Sequence, residues 1–381
     1  MNKLGVVLYA GYCVVLVVPS GWFLLTTPTW VGRLIGLTGF VVVGLPLSGW
    51  LWARTQRLIW RRLTLGLAVF PLLAVATVLL RTPPGVAPSD SPVQQRFSRP
   101  GTRFSRYMLS NIVPEAEQIH LGFLWAVAAD PYFTAAQSRR VTPFTMELYR
   151  EMERDRDFRA LGSAMGWAYA ELFGFSFDVG HYFLYIPRNH GEGPLPSVVF
   201  LHGSVGNFKT YTWIWSKFAE EHGFVIVAPS FGFGNWNLPG GDAAVFRALD
   251  DAQRVLAESG IAIDPARLYL AGISNGGIGV SRVGLAAPER FAGLIYLSPV
   301  MPSSIVDGAE FSAQWAQRPV LVIAGMADER IPLSYVRERA AVLRDASVDV
   351  TLREYPDEDH FLFFSQPEAV LRDVADWLPA E

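Results

Sequence analysis

Three stretches close to the amino terminus carry no charged residue at all: Leu4 to Trp30, Leu34 to Ala53 and Leu63 to Leu80. In hydrocarbon every backbone N–H and C=O must be paired inside the chain, so apolar runs of roughly 20 residues fold as spanning helices. The first run is longer than the apolar part of a cleaved signal and lacks a small-residue cleavage site, and two comparable runs follow it directly. The third is the shortest and holds Pro71, which would suit a buried soluble helix, but its neighbours argue for a span. Trp22, Trp30, Trp50, Trp52 and Trp60 lie near the ends of the runs, where an interfacial aromatic belt belongs. The expectation is three transmembrane helices within residues 1–81, making the lipid bilayer a partner of the chain. Arg54, Arg57, Arg61 and Arg62 crowd the loop between the second and third runs, on the same side as Lys3. By the positive-inside rule that side is cytoplasmic, and an odd number of spans places the rest of the chain outside the cytoplasm. Arg81, Arg96, Arg99, Arg103 and Arg106 pull the other way.

At 381 residues the chain has room for two or three parts. A formal net charge of -3 leaves no basic footprint for nucleic acid, and the lone Cys13 cannot form an intramolecular disulfide. Residues 82–107 are rich in Pro, Ser, Gly and Arg with no apolar period, and read as an exposed linker. Residues 108–175 read as helical, over Glu115 to Ala129, Pro143 to Arg159 and Ala160 to Leu172. The run from Glu151 to Asp157 alternates in sign like a solvated helix face. The other reading of this segment is a cap over a functional site or a surface packed against the membrane.

From residue 176 to 381 the rhythm changes to short apolar runs alternating with helical stretches, the mark of a mainly parallel sheet with helices on both faces. Strands are expected at Tyr182 to Ile186, Ser197 to Leu201, Phe224 to Val227, Leu268 to Ile273, Leu294 to Leu297, Val320 to Ala324 and Val348 to Glu354. The fourth breaks into Gly272-Ile273-Ser274-Asn275-Gly276-Gly277. A G-x-S-x-G turn between strand and helix strains the serine backbone and exposes its hydroxyl at the carboxyl end of the sheet. The helix that follows offers free N–H groups to a developing oxyanion, with the N–H of Asn275 as a candidate donor. The pattern also occurs in ordinary strand-helix turns, so its partners decide its meaning.

Asp328 follows the strand Val320 to Ala324, where a carboxylate can orient an imidazole; Glu329 is its lesser rival, and a surface turn the ordinary alternative. His360 follows the last strand and is the candidate general base, with Asp357 and Asp359 beside it as solvated or bracing groups. His202 ends the second strand in His202-Gly203-Ser204-Val205-Gly206, where the small residues leave backbone N–H groups available to a bound carbonyl. A histidine there more often braces its loop than reacts. Tyr211, Trp213 and Trp215, and more so Phe231, Phe233 and Trp236 after the third strand, are candidates for a substrate pocket, with a place in the core as the alternative. No cluster has metal-ligand spacing, no phosphate loop is present, and this chemistry needs no cofactor.

Ser274, Asp328 and His360 stand in the order serine, acid, histidine. With the His202-Gly203 turn and the elbow, they make residues from about 175 onward resemble the α/β-hydrolase superfamily, in its esterase, polyhydroxyalkanoate depolymerase and prolyl-oligopeptidase-like branches. The resemblance implies an α/β-hydrolase fold, an acyl-enzyme on Ser274 served by His360 and Asp328, and an oxyanion hole from the N–H groups of Ser204 and Asn275. The chain departs from the family in lacking a triple glycine after His202 and in carrying the amino-terminal membrane and helical parts. A membrane-anchored carboxylic esterase acting on a small or lipid-like ester is the leading expectation. A prolyl-oligopeptidase-like peptidase and a silent, membrane-tethered binding module are the rivals. Nothing in the sequence sets the oligomeric state.

Overall fold

The chain divides into two units, Met1–Pro83 with Arg106–Trp125, and Pro84–Ser105 with Ala126–Glu381. The structure is a computed structural model that describes residues 3–27, 29–175 and 178–379. Within the first unit, α1 (Lys3–Thr26), α2 (Trp30–Thr55) and α3 (Leu58–Arg81) are long and apolar enough to cross a membrane. α2 and α3 outrun the uncharged stretches, because arginines at the polar ends are good helix formers. α2 contains Pro46, which has no N–H to offer the carbonyl of Val42. The hydroxyl of Tyr12 on α1 donates to that carbonyl at 2.9 Å, so the proline's lost bond is replaced by one between helices. The unit continues with α4 (Leu109–Ile112) and the first turns of α5 (Glu115–Ala129). There the buried Glu117 accepts both the N–H and the hydroxyl of Thr29, the residue that caps α2.

The second unit is built on β1 (Val93–Phe97), β2 (His181–Tyr185), β3 (Leu195–Leu201), β4 (Val225–Pro229), β5 (Ile263–Ile273), β6 (Gly293–Leu297), β7 (Pro319–Gly325) and β8 (Asp349–Tyr355). They form one sheet in the order β1-β2-β4-β3-β5-β6-β7-β8. β1 and β2 run antiparallel to their neighbours, and all pairs from β4 to β8 are parallel. β4, β6 and β7 are apolar along their length, and β5 becomes so from Leu268 onward, because both faces are covered there. Val199 and Leu201 of β3 join the core beneath α10 (Gly241–Glu258), α11 (Gly276–Ala286) and α14 (Leu333–Asp345). Phe200 points the other way and packs on Tyr211 and Trp215 of α9 (Lys209–His222) and on Phe363. α10 buries Val245, Leu249, Ala252 and Leu256, the face its sequence period marks.

Two stretches depart from expectation. Residues 82–107, read as a linker, supply the edge strand β1, whose Phe97 pairs with His181. An edge strand has a single neighbour and needs no apolar alternation, so it left no period to read. The helical stretch after residue 126 starts earlier than Pro143: α6 (Ala135–Arg154) opens at Thr134, whose hydroxyl accepts from Gln137 N–H while Gln137 answers in kind. Asp155 then caps α7 (Arg156–Ala160), and α8 (Met165–Leu172) follows. The charged run is not solvated throughout, since Asp157 is buried and paired with Arg188 at 2.6 Å. The expected boundary at residue 176 falls at Ser176 and Phe177, outside the described residues.

Candidate active site

β5 ends at Ile273, and the chain turns through Ser274 at φ +53° before α11 begins at Gly276. The turn can be this tight because its glycines lie against backbone. A Cβ on Gly276 would sit 2.2 Å from the carbonyl oxygen of Leu201, and one on Gly272 would sit 2.5 Å from that of Gly276. Three backbone bonds hold the strained serine: its N–H donates to Leu297 O at 2.9 Å, and its carbonyl accepts from Gly277 N–H at 2.9 Å and Val300 N–H at 3.0 Å. A left-handed serine pinned in this way points its hydroxyl away from the sheet.

That hydroxyl lies 2.9 Å from His360 Nε2, and His360 Nδ1 lies 2.8 Å from Asp328 Oδ2. The three side chains come from the loops after β5, β8 and β7, at the carboxyl end of the parallel sheet, where β6 separates β5 from the β7–β8 pair. Asp328 is buried, and its second oxygen accepts the N–H groups of Arg330 and Ile331 at 2.9 and 2.8 Å. The carboxylate is therefore fixed in rotation and meets the imidazole with one oxygen. The acid and base loops are also laced together through Ala327 N–H on Glu358 O and Met326 N–H on Tyr355 O, both 2.9 Å. Glu329 takes no part in this network.

His202 braces its loop. Phe231 N–H donates to its Nε2 at 3.0 Å, which leaves Nδ1 to carry the proton and donate to Gly203 O at 2.8 Å. Burial lowers its pKa to about 4, so it stays neutral at physiological pH. The backbone N–H groups of Ser204 and Asn275 have no hydrogen-bond partner among the described residues. Both are available as donors next to the serine.

The aromatic candidates divide. Phe231 and Trp236 are fully buried, stacked with ring centroids 5.4 Å apart, and the Trp236 indole N–H donates to His202 O at 2.8 Å. They belong to the core and support the turn from behind; as pocket walls they are corrected by their burial. Phe233 is half-buried. Tyr211 and Trp215 pack in the core, and Trp213 lines a separate cavity of about 570 Å³ with Phe144, Leu148 and Leu371.

Sequence reasoning missed what holds the loops. The stretch from Ala126 to Leu172 reaches each of them: Asp130 pairs with Arg330 beside the acid, Arg140 lies 2.5 Å from Asp359 beside the base, and Glu171 binds Phe233 and Asn235 beside the His202 turn. Phe133 packs edge-on against Phe361, centroids 5.4 Å apart. Among the described residues, no group of three or more His, Cys, Asp and Glu is placed to hold a metal ion.

The prolyl oligopeptidase family, peptidase S9, matches residues 302–380, which contain the Asp328 and His360 loops. Over 122 residues the chain is 31% identical to a poly(3-hydroxybutyrate) depolymerase of Ralstonia pickettii, covering 27% of this chain and 25% of that protein. The chain thus matches only a quarter of that relative's length. Among solved structures, a thermostable esterase is similar with TM-score 0.41 and 20% identity over 52% of this chain and 58% of that one. Est1E from Butyrivibrio proteoclasticus is similar with TM-score 0.39 and 18% identity over 52% and 93%. The strand order and the serine elbow give this chain an α/β-hydrolase fold, and the matched carboxyl-terminal region makes it similar to members of that superfamily.

Proposed function

We propose that this protein is a membrane-anchored serine hydrolase that cleaves carboxylic esters through an acyl-enzyme. One observation carries the reading: Ser274, His360 and Asp328 stand in hydrogen-bond series at 2.9 and 2.8 Å. His360 Nε2 takes the Ser274 proton as Oγ attacks the ester carbonyl carbon, and Asp328 holds the Nδ1–H and stabilises the imidazolium. The carbonyl oxygen becomes an oxyanion facing the N–H groups of Ser204 and Asn275. Collapse breaks the bond to the alkoxy oxygen, which leaves as the alcohol with the proton from Nε2. Water then attacks the acyl-enzyme, giving up a proton to the same nitrogen, and the acid departs as Ser274 recovers its hydrogen. The three apolar helices anchor the enzyme in a bilayer, with the arginine-rich junction of α2 and α3, Arg54 to Arg62, cytoplasmic and the catalytic unit on the other side. A reporter fused after Glu381 that behaves as cytoplasmic would overturn that orientation.

The family match over residues 302–380 favours a peptidase as the second reading. The strands among the described residues all belong to one sheet, so they contain no propeller of the kind such peptidases carry. Labelling of the detergent-solubilised protein by a fluorophosphonate, alongside Ser274→Ala, tests the common chemistry. Loss of labelling in the variant is expected. A folded wild type that does not label would leave a binding module. A p-nitrophenyl ester series set against a prolyl p-nitroanilide then separates esterase from peptidase.

A further inference from the structure

We propose that Glu171 is a positioning residue for the oxyanion hole, acting from the helical stretch before β2; the proposal rests on the serine hydrolase reading above. The turn that carries the Ser204 N–H is not a conformation the chain holds unaided. Val205 stands at φ +80° and Gly206 at φ +130°. A β-branched residue in that region is strained and persists only where its surroundings over-determine it.

Those surroundings are residues 231–236. Val205 N–H donates to Phe233 O at 2.9 Å. Gly234 presses against the turn so closely that a Cβ on it would lie 2.3 Å from Gly203 O. The bonds of His202 to Phe231 N–H and of Trp236 to His202 O complete the seam. The position of Ser204 is therefore set by where residues 233–235 sit.

Glu171 sets those residues in turn. One carboxylate oxygen accepts the Phe233 N–H and the other the Asn235 side-chain amide, both at 2.5 Å. Hydrogen bonds to an ionised acceptor are about twice as strong as neutral ones, and two donors two residues apart fix the loop in rotation as well as in place. The peptide that donates its N–H to Glu171 is flanked by the carbonyl that receives Val205. Glu171, at the end of α8, thus shapes the oxyanion turn through one intervening loop without touching substrate.

An oxyanion donor held out of place acts on the transition state more than on the bound ester, which separates kcat from KM. Glu171→Ala is expected to lower kcat on a p-nitrophenyl ester roughly 10- to 100-fold with KM within about 3-fold, the range for a displaced oxyanion donor. Inhibition by an alkyl trifluoromethyl ketone, whose serine adduct carries the oxyanion, should weaken in the same proportion. Glu171→Gln can accept the Phe233 N–H and, with its amide NH2, reach the Asn235 carbonyl oxygen, so it should restore kcat to within about 3-fold. Unchanged kcat in Glu171→Ala, or equal loss in kcat/KM and in substrate binding, would overturn the proposal. Should Glu171→Ala not fold, Asn235→Ala removes one of the two bonds and should cost roughly 3- to 10-fold in kcat alone; no loss overturns the proposal equally. Labelling that survives in Ser274→Ala would instead sink the hydrolase reading, which keeps the two failures distinct.

Discussion

The guanidinium of Arg140 lies 2.5 Å from the carboxylate of Asp359, the residue immediately before His360. Asp359 also accepts the N–H of Phe361, so His360 sits between two residues joined through one carboxylate. The arginine is 39% exposed and Asp359 7%, so the guanidinium is solvated while the carboxylate is covered, and solvent screening on the arginine's side holds the pair's contribution to about 1 kcal/mol. Arg140→Ala should therefore leave the thermal midpoint almost unmoved and reduce kcat roughly 3- to 10-fold by loosening the base. Arg140→Asp combined with Asp359→Arg should recover part of the loss, and steady-state kinetics on the three variants checks it.

Gly276→Ala tests the elbow. The new methyl would meet the Leu201 carbonyl at 2.2 Å, and backbone on both sides cannot yield. Overpacking of this kind costs on the order of 1–3 kcal/mol or more. Lower thermal stability and loss of fluorophosphonate labelling are expected. Gly122→Ala on α5, where nothing lies within 4 Å, should raise stability by about 0.5–1 kcal/mol and serves as the control.

His202 makes the fold sensitive to acid. Its pKa is about 4 in the folded chain against 6.5 as the ordinary value, so the unfolded chain binds more protons in that interval. Stability from the neutral ring is full above pH 6.5, drains as the pH falls towards 4 and is gone below it. At 1.36 kcal/mol per pKa unit the span is on the order of 3 kcal/mol. His202→Gln keeps an acceptor for Phe231 N–H and a donor for Gly203 O without titrating. Thermal midpoints from pH 7 to 4.5 should fall less steeply in that variant than in the wild type. Parallel slopes would count against the assignment.

Tyr12→Phe should destabilise the three-helix unit by about 1 kcal/mol, because it strips the Val42 carbonyl of the bond that stands in for Pro46. Unfolding in mixed micelles, followed by tryptophan fluorescence, measures it.

What could be read from the sequence was what depends on neighbours in the chain. The elbow, the His202 turn and the loops bearing Asp328 and His360 each announce themselves within a few residues. The sheet then brings Ser274, Asp328 and His360 together at its carboxyl end, across β5 to β8. Phe231 and Trp236 misled because a loop rich in aromatics looks the same whether it opens to solvent or folds inward. Only the bond from the Trp236 indole to His202 O, 34 residues away, distinguishes the two. Glu171 and Arg140 were beyond reach, since their partners lie 62 and 64 residues off in one case and 218 or more in the other. A lone Glu in a helical stretch gives no sign of what it will bind.

β1 precedes residues 106–125 in the chain yet belongs to the catalytic sheet, so the polypeptide passes between the two units after Pro83, after Ser105 and after Trp125. Two such crossings flank the edge strand itself. A protease that severs the chain at Trp125 therefore parts β2–β8 from the edge strand Val93–Phe97, which stays covalently joined to the first unit while pairing with His181–Tyr185. A single cut that parts α1–α3 from the chain and leaves the sheet whole must fall between α3 and β1, in residues 82–92. Woven in this order, the sheet has its edge strand tied at both ends to the first unit.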